Sequence, residues 1–361
     1  MKNTDKIIQK EQKTYDPISN SPTQDNTSAS AEKDECAKKK NMISMINKQN
    51  PEFLENFEIL EYLNSGSVGE VYRGIYKGNI KRQVALKFLM KEKQKEKNER
   101  HNQEVAIERR LHNKNVIEIY AYFKKNDYDI SVLEYAKHGD VEHFSKDLLK
   151  RPVLSETCLN YFGKNILDGL HYIHKSKVVH MDIKPGNILI DSNLEAKITD
   201  FSVSCQYNTF HPDDLVKYPF AGTGKFIPPE IISKTHMKIK DAEKIDMYSF
   251  GVTLYYLFYG KYPYKLNEVK GKDYDAILKK IKNEELEFPK ERKISNLLKD
   301  FLRKALDKNY LKRMSIREAL EHPWIQGSKY IFDEKENTYL QENFLIKLIT
   351  DSIPKFNEYI K

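Results

Sequence analysis

Apolar and polar positions along the chain fall into stretches of different period. Residues 1 to about 52 are polar, rich in Lys, Asn, Ser and Thr, with Tyr15 as their only aromatic. Such a segment cannot bury enough apolar surface to offset its ordering entropy, so the pattern predicts a disordered tail. Phe57 to Leu63 alternates like a strand, and a turn over Asn64, Ser65, Gly66, Ser67, Val68, Gly69 and Glu70 leads into a second strand at Val71. Gln83 to Leu89 reads as a buried strand interrupted by one lysine, Lys87. Glu99 to His112 has helical spacing, with Val105, Ile107 and Leu111 among charges. Val116 to Phe123 and Tyr128 to Glu134 read as a hairpin, followed by a segment over Val141–Leu149 that Asp140 would cap. Ser155 to His174 is a long helix with Leu159, Phe162, Ile166, Leu170 and Ile173 at 3–4 spacing. Ile245 to Tyr259 is a very apolar helix, and three more follow near Asp273–Lys282, Ser295–Leu306 and Ser315–Glu321. Beyond Gly327, Tyr339, Phe344, Leu345, Leu348 and Ile349 suit one amphipathic helix.

Composition narrows this picture. Apolar content of 39% and charged content of 32% support a true core under a well-solvated surface. The net charge of +8 is spread along the chain and interleaved with acids, so no nucleic-acid partner is expected. Cys36, Cys158 and Cys205 share no metal-ligand spacing, and an odd count fits a reducing, intracellular compartment. The chain begins Met-Lys with no apolar leader, and no apolar run reaches the length of a membrane span. A cytoplasmic protein with no membrane partner is the expectation, and Lys38–Lys40 is too short a basic run to signal the nucleus.

Chemistry concentrates in Val178 to Ile190, two β-like apolar runs joined by a polar loop that holds Asp182, Lys184 and Asn187. These three suit one reacting phosphate: the acid orients and deprotonates a hydroxyl, the lysine neutralises the phosphate, and the amide ligates a metal. A surface turn polar by chance would look the same. Asp200-Phe201-Ser202, in a second strand–loop setting, argues against chance. Gly66 and Gly69 let backbone amides approach phosphate oxygens with no Cβ in the way, although an ordinary hairpin also uses glycine. A lysine inside a buried strand, as at Lys87, needs a partner. His171 and His174 near the end of the long helix read as structural.

His180-Met181-Asp182 followed by Asp200-Phe201-Ser202 resembles the His-Arg-Asp and Asp-Phe-Gly motifs of the eukaryotic protein kinases. The resemblance covers about Phe57 to Ile325 and implies an α+β, bilobal protein kinase fold, with a small, mostly β N-lobe holding one helix (57–133), a hinge (134–140) and a larger, mostly α C-lobe (141–325). A disordered tail (1–52) and a partly helical extension (326–361) would flank it. The implied cofactors are ATP and Mg2+, and the implied partner is a protein phosphorylated on Ser or Thr, since Lys184 stands where Ser/Thr kinases have lysine. Asp182, Lys184 and Thr223 would be catalytic; Asn187 and Asp200 would hold magnesium. Lys87, fixed by Glu104, would clamp the phosphates under the loop Leu63–Val71. Leu63 and Val71 would cover the adenine, the backbone of Glu134 and Ala136 would bind it, and Ala85 and Leu189 would join them in the cofactor site, with Leu133 as gatekeeper and Asp140 near the ribose. Asp246 would tie down the catalytic loop, and Arg313 would pair with Glu230.

Departures from the family pattern sharpen the expectation. Asn64 replaces the first glycine of the loop. Glu108, one turn beyond Glu104, stands where the family places an apolar residue against Phe201: either the helix register is shifted, or a carboxylate faces the interlobe core. Met181 replaces the Arg, and Ser202 the Gly, of the two motifs. Met181, Pro228-Pro229-Glu230, Gly251–Tyr255 and Arg109–Ile117 are similar to the liver-kinase-B subgroup of kinase-activating kinases; the Asp200 segment resembles the calmodulin-dependent kinase kinases. In most of the family the missing arginine binds a phosphate on the activation segment, whereas Met181 has no donor. Pro219 occupies a common phosphothreonine position, leaving Tyr218 and Thr209 as candidates. The segment is therefore expected to be ordered by its own packing, by Asp213 and Asp214 finding local cations, or by an activating partner protein. Gly186 replaces the Glu common in arginine-directed kinases, which argues against a strong preference for basic residues before the phosphosite. The rival reading is a pseudokinase, a nucleotide-binding or scaffolding module, on the strength of Asn64, Glu108, Met181 and Ser202.

Overall fold

The computed structural model describes residues 25–65, 69–91, 95–125, 127–148, 153–207 and 211–327. By internal contacts the chain divides into two units, Met1–Phe57 and Glu58–Lys361. The first holds helices α1 (Asp25–Gln49) and α2 (Pro51–Asn56). Helix here differs from the expected disorder. That expectation weighed only burial, whereas Ala, Glu, Lys and Met supply helix propensity locally. Pro51 opens α2 at a position where its missing N–H costs nothing, and Phe53 stacks on Phe57 with ring centroids 4.6 Å apart. The amphipathic segment expected beyond Gly327 lies outside the described residues.

The second unit begins with a five-stranded sheet of order β1-β2-β3-β5-β4, built from β1 (Phe57–Ser65), β2 (Glu70–Tyr76), β3 (Arg82–Met90), β4 (Ile119–Lys124) and β5 (Tyr128–Glu134). Helix α3 (Lys95–Glu108) lies between β3 and β4 in sequence. Strand β3 is central and mostly buried, and its register sets Lys87 opposite Val71 on one side and Ser131 on the other. Gly69 is required where the turn meets β3: a Cβ there would lie 2.0 Å from the carbonyl oxygen of Phe88. Helix α3 ends at Glu108, earlier than the spacing predicts, because Leu111 is buried from the turn that follows rather than from the helix.

The larger lobe is helical. Its elements are α4 (Val141–His143), continued by a π-helical turn over Phe144–Leu148, then α5 (Glu156–Lys175), β6 (Val178–Val179), β7 (Ile188–Ile190), β8 (Ala196–Ile198), β9 (Cys205–Gln206) and β10 (Leu215–Lys217). There follow α6 (Pro229–Ile232), β11 (His236–Lys238), α7 (Glu243–Tyr259), α8 (Tyr274–Asn283), α9 (Asn296–Ala305), α10 (Ile316–Glu321) and α11 (Pro323–Gln326). Ser155 caps α5 through the amide of Cys158, and the apolar stripe read from the sequence, Leu159 to Ile173, is buried. Each such side chain contributes about 1.5–3 kcal/mol of burial free energy. Helix α7 is buried nearly all round, which explains its unbroken apolar run. Ser315 and Glu318 form the expected capping box of α10. A β-rich lobe with one helix and a helical lobe make the bilobal α+β fold that the resemblance implied.

Candidate active site

Strands β6 and β7 deliver a polar loop whose backbone one buried acid fixes. Asp246, at the head of α7, accepts hydrogen bonds from the amides of His180 and Met181, each at 2.8 Å, and lies 2.7 Å from His174 Nε2. Burial works against its charge, but His174 and the amide of His180 hold its carboxyl below the usual carboxylate range. Asp246 thus anchors the loop but does not cap its own helix, whose N-cap is Ala242. The anchoring holds Met181 at φ 67°, a left-handed conformation uncommon for a side-chain-bearing residue.

The loop then gathers two of the expected groups on Asp182, and the later segment brings a third to Lys184. Lys184 Nζ donates to Asp182 Oδ2 at 2.7 Å and to Thr223 Oγ1 at 2.6 Å. Asn187 Nδ2 donates to the Asp182 backbone oxygen at 2.9 Å and to Oδ2 at 3.1 Å. Asp182 Oδ1 is buried and has no hydrogen-bond partner among the described residues. Gly222 lets the later segment pass close by: it sits at φ +105°, and a Cβ there would lie 2.7 Å from the Met181 oxygen.

A second group lies across the cleft. Lys87 Nζ meets Glu104 Oε1 at 2.5 Å, and Glu104 Oε2 lies 3.4 Å from His101 Nδ1. Burial opposes a charge on Lys87, but Glu104, Glu108 and Asp200 overrule it and hold the ammonium well above its ordinary pKa. Asp200, at φ 69°, is held below the usual carboxylate range despite burial, by Lys87 and by the hydroxyl and amide of Ser202. Glu108 faces this cleft: the helix register is not shifted, and the carboxylate of the second alternative is present. Burial, reinforced by Glu104 and Asp200 against the pull of Lys87, pushes its carboxyl up to about 8.

The cleft between the lobes is a cavity of about 580 Å3 whose walls include Leu63, Asn64, Gly69, Val71, Ala85, Lys87, Glu134, Ala136, Asn187, Leu189 and Asp200. Ala85, Val105, Ile117, Ile119, Leu133 and Ala136 form one apolar cluster, with Val71 and Leu189 packed on it. Of these, Val71, Ala85, Ile117, Leu133, Ala136 and Leu189 also line the cavity and make an apolar slot in it. Three site residues named from the sequence, Gly66, Ser67 and Val68, lie outside the described residues. Ser65 and Glu70 border the turn without lining the cavity, and the Glu70 carboxylate accepts from the Tyr72 hydroxyl at 2.8 Å instead. Asp140 lines the cavity, and its Oδ1 caps α4 through the amides of Glu142 and His143. Sequence reasoning missed Ile117 and Thr199 on the wall; an apolar or hydroxyl side chain beside a short strand gives no local sign of facing a cleft.

The protein kinase domain family model matches residues 57–325. The chain belongs to the protein kinase family. A calcium/calmodulin-dependent protein kinase kinase of Caenorhabditis elegans is 31% identical over 242 residues, 66% of this chain and 42% of that protein. Serine/threonine-protein kinase par-4 of the same nematode is 35% identical over 225 residues, covering 61% of this chain and 35% of par-4. Serine/threonine-protein kinase TOS3 of Saccharomyces cerevisiae is 31% identical over 310 residues, 76% of this chain and 54% of TOS3. The chain spans about a third to a half of the length of these relatives.

Against the kinase frame, the segment from Asp200 to Glu230 has features of its own. Strand β9 pairs with β6, and β10 pairs antiparallel with β11, setting Leu215 opposite Lys238 and Lys217 opposite His236. Asp213 Oδ1 lies 3.1 Å from Lys238 and 2.6 Å from Lys240. Tyr218 is 4% exposed and belongs to the same buried cluster as Met181. Ser202 is not among the residues of positive φ, so its Cβ is accommodated in this conformation; the left-handed residue is Asp200. The segment ends on a buried ion pair, with Arg313 Nη1 and Nη2 on the two Glu230 oxygens at 2.6 and 3.0 Å.

Proposed function

We propose that this chain is an ATP- and Mg2+-dependent protein serine/threonine kinase that works without phosphorylation of its activation segment. The observation that carries the reading is the division of labour on Asp182. Lys184 and Asn187 occupy Oδ2, and Oδ1 stays buried and unpartnered, ready to accept the proton of an incoming hydroxyl.

The donor set fits the cofactors. An amide oxygen at Asn187 and a carboxylate held ionised at Asp200 are hard oxygen ligands of the kind Mg2+ prefers. Mg2+-ATP supplies the phosphoryl group and neutralises charge as it transfers. Lys87, held by Glu104, would bind the inner phosphates, and the apolar slot around Ala85, Val71 and Leu189 would take the adenine. Asp182 orients the Ser or Thr hydroxyl and takes its proton; Lys184, steadied by Thr223, stabilises the charge on the transferring phosphate.

Phosphorylation independence is supported by packing. The segment is fastened by the β10–β11 ladder, by Asp213 between two lysines, and by Tyr218 in the core. Met181 adds apolar surface there instead of a cation for phosphate. The name of one relative, a protein kinase kinase, makes another protein kinase the first substrate class to try. The pseudokinase reading gains nothing here, because Asn64, Glu108, Met181 and Ser202 leave the phosphate-handling groups in place. Incubating pure protein with ATP, Mg2+ and a panel of inactive kinases tests the reading. Label on Ser or Thr, absent with Asp182→Asn, is expected; no transfer to any protein would overturn it.

A further inference from the structure

Glu104 and Glu108 lie one turn apart on α3, and therefore on the same face of the helix. Both are buried, at 2% and 6% exposure. Only Glu104 is bonded to Lys87. The Glu108 carboxyl shares the inner cleft wall with Lys87 and Asp200 and makes no hydrogen bond or ion pair with the described residues. A buried carboxyl with no partner is costly, and at the C-terminal end of a helix the macrodipole adds to the cost. Nearby cations do not relieve it: Arg109 is exposed, and Arg110 reaches Ala106 O at 3.1 Å and Gln206 at 2.8 Å. The cation whose charge reaches Glu108 is Lys87, on a stem of four rotatable carbons.

We propose that Glu108 is a reserve partner for Lys87: the ammonium exchanges between two carboxylates one turn apart, so the lysine stays aimed at the phosphates when either acid is lost. Glu108 is then a positioning residue that acts through Lys87. The usual single ion pair between β3 and α3 becomes a shared one, and the buried acid has a purpose. Contact with the ammonium is what ionises Glu108; while Glu104 holds the lysine, burial keeps it neutral.

The inference rests on Lys87 binding the phosphates of ATP. Its test is a double-mutant cycle on the full chain with wild type, Glu104→Gln, Glu108→Gln and the double variant. Affinity for Mg2+-ATP is read by titration calorimetry, and kcat and KM for ATP in transfer assays. Gln keeps the volume of both side chains, and thermal unfolding of all four confirms folding; Glu108→Leu replaces Glu108→Gln if that variant unfolds. Each single change should weaken ATP binding by less than about tenfold. The double variant should lose at least about tenfold more than the product of the singles, with the loss in KM rather than kcat. Coupling below about threefold, or Glu104→Gln as defective as the double, would overturn the proposal. Strong coupling in ATP affinity with no transfer to any protein would leave the reserve partner standing and overturn only the kinase assignment.

Discussion

At the residue scale the site is a small set of polar groups whose roles are set by what they touch. Asp182, Lys184 and Asn187 were legible from the sequence because one loop between two short strands holds them, Asp200 because it follows a second short strand, and Lys87 because a lysine interrupts a buried strand. Glu108 was not: a helix pattern cannot tell a carboxylate facing a cleft from one facing water. Its raised pKa gives a signed prediction for protein without metal or nucleotide. In the unfolded chain Glu108 ionises near the ordinary value of 4.5, and in the fold at about 8. Between these values the folded state holds the extra proton, so stability present at acid pH is lost as pH rises through the window, by at most on the order of 1 kcal/mol per pH unit. Glu108→Gln should flatten that decline in urea midpoints measured from pH 5 to pH 8; equal slopes in both proteins would show that the carboxyl is not held neutral.

At the element scale the activation segment is the part that sequence reasoning reached only halfway. Asp213 was expected to find local cations, and Lys238 and Lys240 are those cations. The β10–β11 ladder was missed, because three-residue strands are made by pairing and leave little pattern of their own. Tyr218, read as a candidate phosphosite, is shielded by burial. Its hydroxyl has no hydrogen-bond partner among the described residues, so Tyr218→Phe should keep stability within about 0.5 kcal/mol, whereas Tyr218→Ala should cost about 3–5 kcal/mol. Limited proteolysis between His211 and Thr223 would report the loosened segment, and an unchanged digestion pattern in Tyr218→Ala would refute the anchor. Ser202 belongs to the same element. Glycine there would open backbone conformations that serine resists, so inhibitors needing a flipped Phe201 should bind Ser202→Gly more tightly than wild type; equal affinities in parallel titrations would dismiss the hinge argument.

At the scale of the whole molecule the two lobes read plainly from period and order: alternation for the sheet, a 3–4 stripe for α5, an unbroken apolar run for α7. The N-terminal helix α1 was hidden because its propensity is local and its composition is polar. One buried ion pair joins distant parts of the larger lobe, Glu230 at the end of the activation segment and Arg313 just before α10. Glu230→Ala leaves the guanidinium buried without its carboxylate and should cost about 3–5 kcal/mol, seen as a lower unfolding temperature; a change under about 1 kcal/mol would mean that the carbonyls of Asp307 and Lys244 satisfy Arg313 alone. The central claim is that this architecture transfers phosphate through Asp182 with an activation segment ordered by its own packing. The most direct measurement is single-turnover transfer from labelled ATP by phosphatase-treated protein, wild type beside Asp182→Asn. The account predicts that treated wild type keeps most of its rate, and that Asp182→Asn binds Mg2+-ATP as well but transfers at least about 100-fold more slowly. A many-fold loss after phosphatase, restored by one phosphate between Ser202 and Thr223, or undiminished transfer by Asp182→Asn, would contradict it.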